Sequence, residues 1–183
     1  MLKWFRQSGS AHQTAMAMIG PKAGDRLLVA GQADAGLVAE LARVTGLNGQ
    51  TTAACPSAVR QSIESAAGKA GALVDVLELG PADLSPIPPG VTELDIVVLV
   101  LDLGTMGMEA RLDASRDALR VLRPGGRLLL VDTPRRGGLL SARSATGMAP
   151  DAVVPMLTSV GAVAARALGA ADHITYYEAR KAR

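Results

Sequence analysis

Aromatic side chains are nearly missing from this chain: Trp4, Phe5, Tyr176 and Tyr177 make up the whole 2% aromatic fraction of its 183 residues. The core must therefore be filled by Ala, Val, Leu, Ile and Met, and the aromatic platforms on which single-stranded nucleic acids stack are excluded. Cysteine is scarcer still. The lone Cys55 rules out an intrachain disulfide and fits a reducing compartment. An excess of either charge is also lacking, since 19 Lys and Arg against 17 Asp and Glu leave a net +2, which gives no broad electrostatic footprint for nucleic acid. No apolar run approaches transmembrane length. Near the start, Gln7, Ser8, Ser10, His12 and Gln13 interrupt any stretch that could serve as a signal peptide, so the expected location is the cytoplasm. His12 and His173 have no second His, Cys or carboxylate at ligand spacing, and no metal site is expected.

What is present is aliphatic, at 49% hydrophobic composition, enough for one substantial core and too short a chain for two. Short apolar runs alternate with helical periodicity, the pattern of βαβ units and a mostly parallel sheet. Residues 1–23 read as an N-terminal helical extension, anchored by Trp4 and Phe5 on the edge of an α/β domain spanning 24–183. The first strand is Arg26 to Gly31, followed by a helix with Leu37, Val38, Leu41 and Val44 on one face and Gly46 at its end. A second strand, Gln50 to Ala54, leads through Cys55 and Pro56 to a helix that Ser57 can cap, with Val59, Ile63, Ala66 and Ala70 inward. The third strand is Leu73 to Leu79, and the Pro-rich stretch Pro81 to Gly90 must be a loop. Leu94 to Leu101 is near-continuously aliphatic, as a central parallel strand covered on both faces should be. Next come a helix over Met108 to Leu122, with Met108, Leu112, Leu119 and Leu122 aligned, a sharp turn at Arg123-Pro-Gly-Gly126, and a fifth strand from Arg127 to Val131. A Gly/Ser/Arg-rich connection, a helix near Asp151 to Val160, and two short strands, Val163 to Leu168 and His173 to Glu178, complete the chain.

The order of these elements, the segment Gly24-Asp-Arg-Leu-Leu-Val-Ala-Gly31, the pair Leu94-Asp95 and the stretch Ala118-Leu-Arg-Val-Leu-Arg-Pro-Gly-Gly-Arg-Leu-Leu-Leu-Val131 together resemble a class I S-adenosylmethionine-dependent methyltransferase of the small-molecule type. The resemblance runs from about Gly20 to the end. It implies a doubly wound, mostly parallel seven-stranded sheet with a terminal antiparallel strand pair, and a cofactor site at the carboxyl ends of the first strands.

On that resemblance the cofactor-contacting positions are Gly31, Gln32, Ala33, Asp34, Ala35, Cys55, Pro56, Asp83, Leu101 and Asp102. Several depart from the family's pattern. An acidic residue is expected where Val29 stands, and glycines where Ala33 and Ala35 stand; each alanine disfavours positive φ and adds a methyl where a ligand needs backbone. The carboxylate expected to grip both ribose hydroxyls is replaced by Cys55, whose thiol is a poor acceptor. Near the adenine, Gly80-Pro81-Ala82 stands where an Asp is common, with Asp83 two residues on as a substitute. At about 1.5–3 kcal/mol for each lost charge-assisted contact, the sum weakens cofactor binding by orders of magnitude.

Single residues keep two readings each. Asp34, beside Gln32, either meets a ligand or caps the following helix, and Asp102 is either a ligand contact at a strand end or a solvated loop carboxylate. Cys55, before a helix start, is either a thiol of depressed pKa or a buried structural cysteine. Trp4 and Phe5 could also touch a membrane surface or a partner protein, and Arg135, Arg136, Arg180, Lys181 and Arg183 could meet an anionic partner, against a plainer reading as edge packing and solvated charge. Function divides the same way. One reading is an enzyme passing a methyl group from S-adenosylmethionine to an unknown small-molecule acceptor, with no catalytic residue assigned; the other is a non-catalytic methyltransferase-like subunit or scaffold that binds a protein partner.

Overall fold

The computed structural model describes residues 4–79, 91–134, 148–171 and 173–183, with side chains from His12 onward. Among these, seven strands form one sheet. In chain order the elements are α1 (Trp4–Ile19), β1 (Arg26–Gly31), α2 (Ala35–Thr45), β2 (Gln50–Cys55), α3 (Ser57–Ala70), β3 (Asp75–Glu78), β4 (Leu94–Leu101), α4 (Met108–Val121), β5 (Leu122–Asp132), α5 (Pro150–Ser159), β6 (Ala162–Ala171) and β7 (Ile174–Lys181). The strand order is β3-β2-β1-β4-β5-β7-β6. Strands β1 to β5 pair in parallel, and β7 enters antiparallel between β5 and β6. This is the doubly wound seven-stranded sheet with a terminal antiparallel pair that the resemblance implies.

The period-two alternation of each central strand sorts its side chains between two half-cores. Leu27 and Val29 of β1 join Val98 and Val100 of β4 under α1, α2 and α3, where Ala15, Ile19, Leu37, Val38, Leu41 and Ile63 are buried. Leu28, Ala30, Val97 and Leu99 face the other way, against Ala114, Ala118 and Leu119 of α4 and Val153, Met156 and Leu157 of α5. Because β4 is covered on both faces, it can be aliphatic at every position but Asp95, whose carboxylate accepts from Arg26 N–H at 2.8 Å.

Local chemistry sets several boundaries. Helix α2 begins where the Asp34 carboxylate accepts from the backbone N–H groups of Gly36 (2.8 Å) and Leu37 (3.2 Å), and ends at Gly46 with φ +66°. Helix α4 passes into β5 with no loop, and the Lys181 ammonium donates to the carbonyls of Arg120 (3.2 Å) and Leu122 (2.6 Å) at that junction. One tail cation therefore closes a helix end and is not a free basic patch. The N-terminal helix is tied down at its carboxyl end, where Arg127 Nη1 donates to the Ile19 carbonyl at 2.8 Å while Arg127 Nε holds buried Glu178 at 2.6 Å.

Several expectations need correction. Ser57 does not cap α3: it is the first helical residue, the cap position is Pro56, and no side chain bonds there. The inward face of α3 is Ile63 and Ala67, leaving Val59 exposed, and Leu73 lies outside a third strand that begins only at Asp75. Met108 opens α4 on its exposed side. The Arg123-Pro-Gly-Gly126 turn is absorbed into the start of β5, where the register against β4 skips between Leu94 and Ile96. The terminal strands run longer than expected, and their connection contracts to the residues around His173, itself at φ +69°. Within the N-terminal helix the described anchors are Ala15 and Ile19; the side chains of Trp4 and Phe5 lie outside the described set, as does the loop expected over Pro81 to Gly90.

Candidate active site

The strand order reverses direction between β1 and β4, and in open α/β sheets a crevice opens at such a switch point beyond the strands' carboxyl ends. The register fixes what lies there. Gly31 stands opposite Val100, and Ala30 opposite Ala54, so Cys55 is one step beyond on the other side. Leu101 stands opposite Asp132 at the ends of β4 and β5. Gly31, Cys55, Val100, Leu101 and Asp132 thus form the lip of the sheet at the crevice.

Gly31 turns the chain at φ +97°, and a Cβ built on it would overlap the Val100 carbonyl oxygen and lie 3.1 Å from the Val100 carbonyl carbon. Gln32 N–H donates to that same oxygen at 2.9 Å. Its missing side chain is therefore used first by the sheet, to let β1 and β4 stay paired through the turn. Gln32 is exposed beyond it, while Ala33 and Ala35 pack partly against the α1–α2 half-core.

For Asp34 the capping role is realised, since its Oδ1 takes both first-turn amides of α2. The same oxygen receives His12 Nε2 from α1 at 2.9 Å. His12 was not placed at the site by the sequence because the two residues are far apart in the chain and the contact is purely tertiary. Next to this pair, a Cβ on Gly36 would lie 2.9 Å from His12 Cε1 and 3.0 Å from Asp34 Oδ1, so a side chain at residue 36 would have to displace the imidazole.

Cys55 resolves to the structural reading. It is 3% exposed among Val29, Ala53 and Ile63. Burial pushes its thiol above the ordinary range, and the Glu78 carboxylate adds to the shift. A helix start does not activate it. Its carbonyl accepts from Leu79 N–H at 2.9 Å, which fastens the end of β3 to β2. Pro56 is half-buried at the entrance to α3, and Asp83 lies outside the described residues.

At the other lip, Leu101 is buried and its carbonyl accepts from both the backbone N–H (2.7 Å) and the hydroxyl (3.1 Å) of Thr133. Asp102 is 4% exposed, so it is not a solvated loop carboxylate. Close by, fully buried Asp132 accepts from Leu103 N–H at 3.0 Å through one oxygen and from Met148 N–H at 2.8 Å through the other. Burial raises the Asp132 pKa; the two amides oppose that, and the Asp102 charge reinforces it. Across from this group Tyr177 donates its hydroxyl to the Met148 carbonyl at 2.9 Å. The signal in the sequence for Asp132 is that, like Asp102, it directly follows an aliphatic run, here Leu128 to Val131. Among the described residues no group of three or more His, Cys, Asp or Glu is arranged to hold a metal ion, and no helix is long and apolar enough to cross a membrane.

No family model and no curated protein matches the chain. Solved structures do. The apo S-adenosylmethionine-dependent methyltransferase SibL superposes with a TM-score of 0.73 at 18% identity, covering 98% of this chain and 56% of SibL. A SAM-dependent methyltransferase from Aquifex aeolicus gives 0.69 at 17% identity, covering 92% of this chain and 88% of the other. Human N-acetylserotonin methyltransferase, solved in complex with SAM, gives 0.59 at 17% identity, covering 87% of this chain and 48% of its own length. The chain thus spans about half the length of several structures it matches. With its strand order, its antiparallel β7 and these superpositions taken together, the chain has the class I S-adenosylmethionine-dependent methyltransferase fold.

Proposed function

We propose that this is a methyltransferase-like protein that takes S-adenosylmethionine, with weakened affinity, in the crevice at the carboxyl ends of β1, β2 and β4, and serves methyl transfer to a small acceptor. The observation that carries this reading is the Gly31 turn at φ +97°, placed at the switch point between β1 and β4. The fit of the residues to the cofactor is partial. The turn and the strand ends suit an adenosyl ligand, whereas the thiol of Cys55 offers no bidentate acceptor for ribose hydroxyls, and Val29 is closed inside the core. When bound, the cofactor would supply an activated methyl group on a sulfonium. The chain's own contribution is placement: the buried lip at Leu101, Asp102 and Asp132 ties the loops after β4 and β5 together beside the crevice, and holding two reactants in line is itself a large part of such catalysis.

Calorimetric titration with S-adenosylhomocysteine tests this. Saturable one-site binding is expected, tightened about tenfold or more by Cys55→Asp, because one charge-assisted hydrogen bond contributes roughly 1.5–3 kcal/mol. Apo Cys55→Asp should melt lower than wild type, since its carboxylate is buried near Glu78 until ribose arrives. A flat titration for both proteins counts against the reading. It would favour the second one, a non-catalytic subunit or scaffold, which the apolar burial of Val29 and Cys55 also suits.

A further inference from the structure

The N-terminal helix is held at its two ends by contacts of very different strength. At its carboxyl end, Arg127 grips the Ile19 carbonyl and is itself pinned by buried Glu178, while Met18 packs within reach of Gly169 on β6. Gly20, at φ +58°, follows directly. Toward its amino end, His12 Nε2 of α1 meets Asp34 Oδ1, the cap of α2, with side chains 33% and 66% exposed. Arg127 stands opposite Ile96 near the start of β4, whereas Asp34 follows the carboxyl end of β1. From Ile19 to His12 the helix therefore climbs along the sheet toward the crevice, and Trp4 to Ala11 continue it by eight residues, about 12 Å of further rise.

We propose that α1 is a strap over the crevice, anchored at Ile19 by Arg127 and latched by His12 on Asp34, and that loosening of its amino-terminal turns on release of this latch gates entry of the adenosyl ligand. This rests on the ligand reading above. The latch is built to let go. Asp34 is exposed and His12 half-buried, a setting in which such contacts contribute little, and Asp34 keeps its cap bonds to Gly36 and Leu37 when His12 leaves, so α2 loses nothing essential. Gly36 supplies the notch: without a Cβ there, the imidazole lies against the first turn of α2, and a methyl would push it off. The carboxyl end stays fixed through Arg127, so opening loosens the amino-terminal turns and leaves the half-core around Ala15 and Ile19 in place.

Hydrogen exchange and stopped-flow binding of S-adenosylhomocysteine test the strap on the full chain. His12→Ala and Gly36→Ala unlatch it from opposite sides, so both should speed exchange of the amides before residue 12 by about two- to fivefold, the size expected of one exposed pair, with exchange around Ile19 unchanged. Both should also raise the association rate of S-adenosylhomocysteine by a similar factor. Unchanged exchange in either variant overturns the latch, and faster exchange with an unchanged association rate overturns the gate. If no protein binds the ligand, the gate falls with the ligand reading, while the exchange arm still decides whether the latch exists.

Discussion

Replacing Gly31 by alanine puts a methyl group at the one point where β1 and β4 leave no room for it. Two costs add. A non-glycine residue at φ +97° is strained by about 1–2 kcal/mol, and the new Cβ collides with the Val100 carbonyl, which cannot move without disturbing the Gln32 bond or the β4 register. Overpacking of this kind costs about 1–3 kcal/mol, so the total is roughly 2–5 kcal/mol. Gly24 offers an internal control: its φ is +89°, but a Cβ there meets nothing within 4 Å. Gly24→Ala should therefore show only the conformational part, about 1–2 kcal/mol. Urea unfolding of both variants separates the two terms, with Gly31→Ala the less stable by about 1–3 kcal/mol. If the two substitutions prove equal, the close approach of Val100 is wrong, and with it the claim that Gly31 serves the sheet before it serves a ligand.

Other consequences follow from the buried charges. Arg127→Ala removes both a partner of Glu178 and the donor to Ile19, and should cost about 2–4 kcal/mol by thermal or urea unfolding, with Arg166 still holding one carboxylate oxygen. Burial alone would raise the Glu178 pKa, but the hydrogen bonds from Arg127 and Arg166 outweigh it and leave the group below its ordinary value. A depressed folded pKa means that Glu178 contributes stability above its unfolded pKa and loses it as pH falls through the folded one, so Glu178→Gln should flatten the acid limb of a stability profile. Asp132 has the opposite sign. Its raised folded pKa gives a contribution that is full below the unfolded value and declines as pH rises through the folded one. Relative to Asp132→Asn, wild type should therefore lose stability across that window. Asp132→Ala leaves the Leu103 and Met148 amides without their acceptor and should destabilise by about 2–4 kcal/mol at neutral pH in a thermal melt.

The central strands were legible because burial on both faces writes itself as a near-continuous aliphatic run, as in Leu94 to Leu101, interrupted by Asp95 alone, where expectation and structure agree to the residue. Edges were less legible. β3 and β6, the two edge strands, are half-exposed, so their composition does not mark their ends, and Leu73 and Val163 are apolar residues left in solvent. At the site, strand-end positions could be read from the chain: Gly31, Cys55, Leu101 and Asp102 all lie at the lip. What those residues do there could not, because it depends on partners distant in sequence. Gly31 is explained by Val100, Asp34 by His12 as well as by its own helix, and Asp132 by Leu103 and Met148.

The ligand reading is tested most directly by mapping backbone amide chemical shifts while S-adenosylhomocysteine is added to the full chain. The account predicts saturable shifts confined to the lip and its turns, at Gly31 to Gly36, at Cys55 and at Leu101 to Leu103, with the amides of β6 and of the α4 carboxyl end unmoved. No shift at millimolar ligand, or shifts gathered away from the carboxyl ends of β1, β2 and β4, would contradict it.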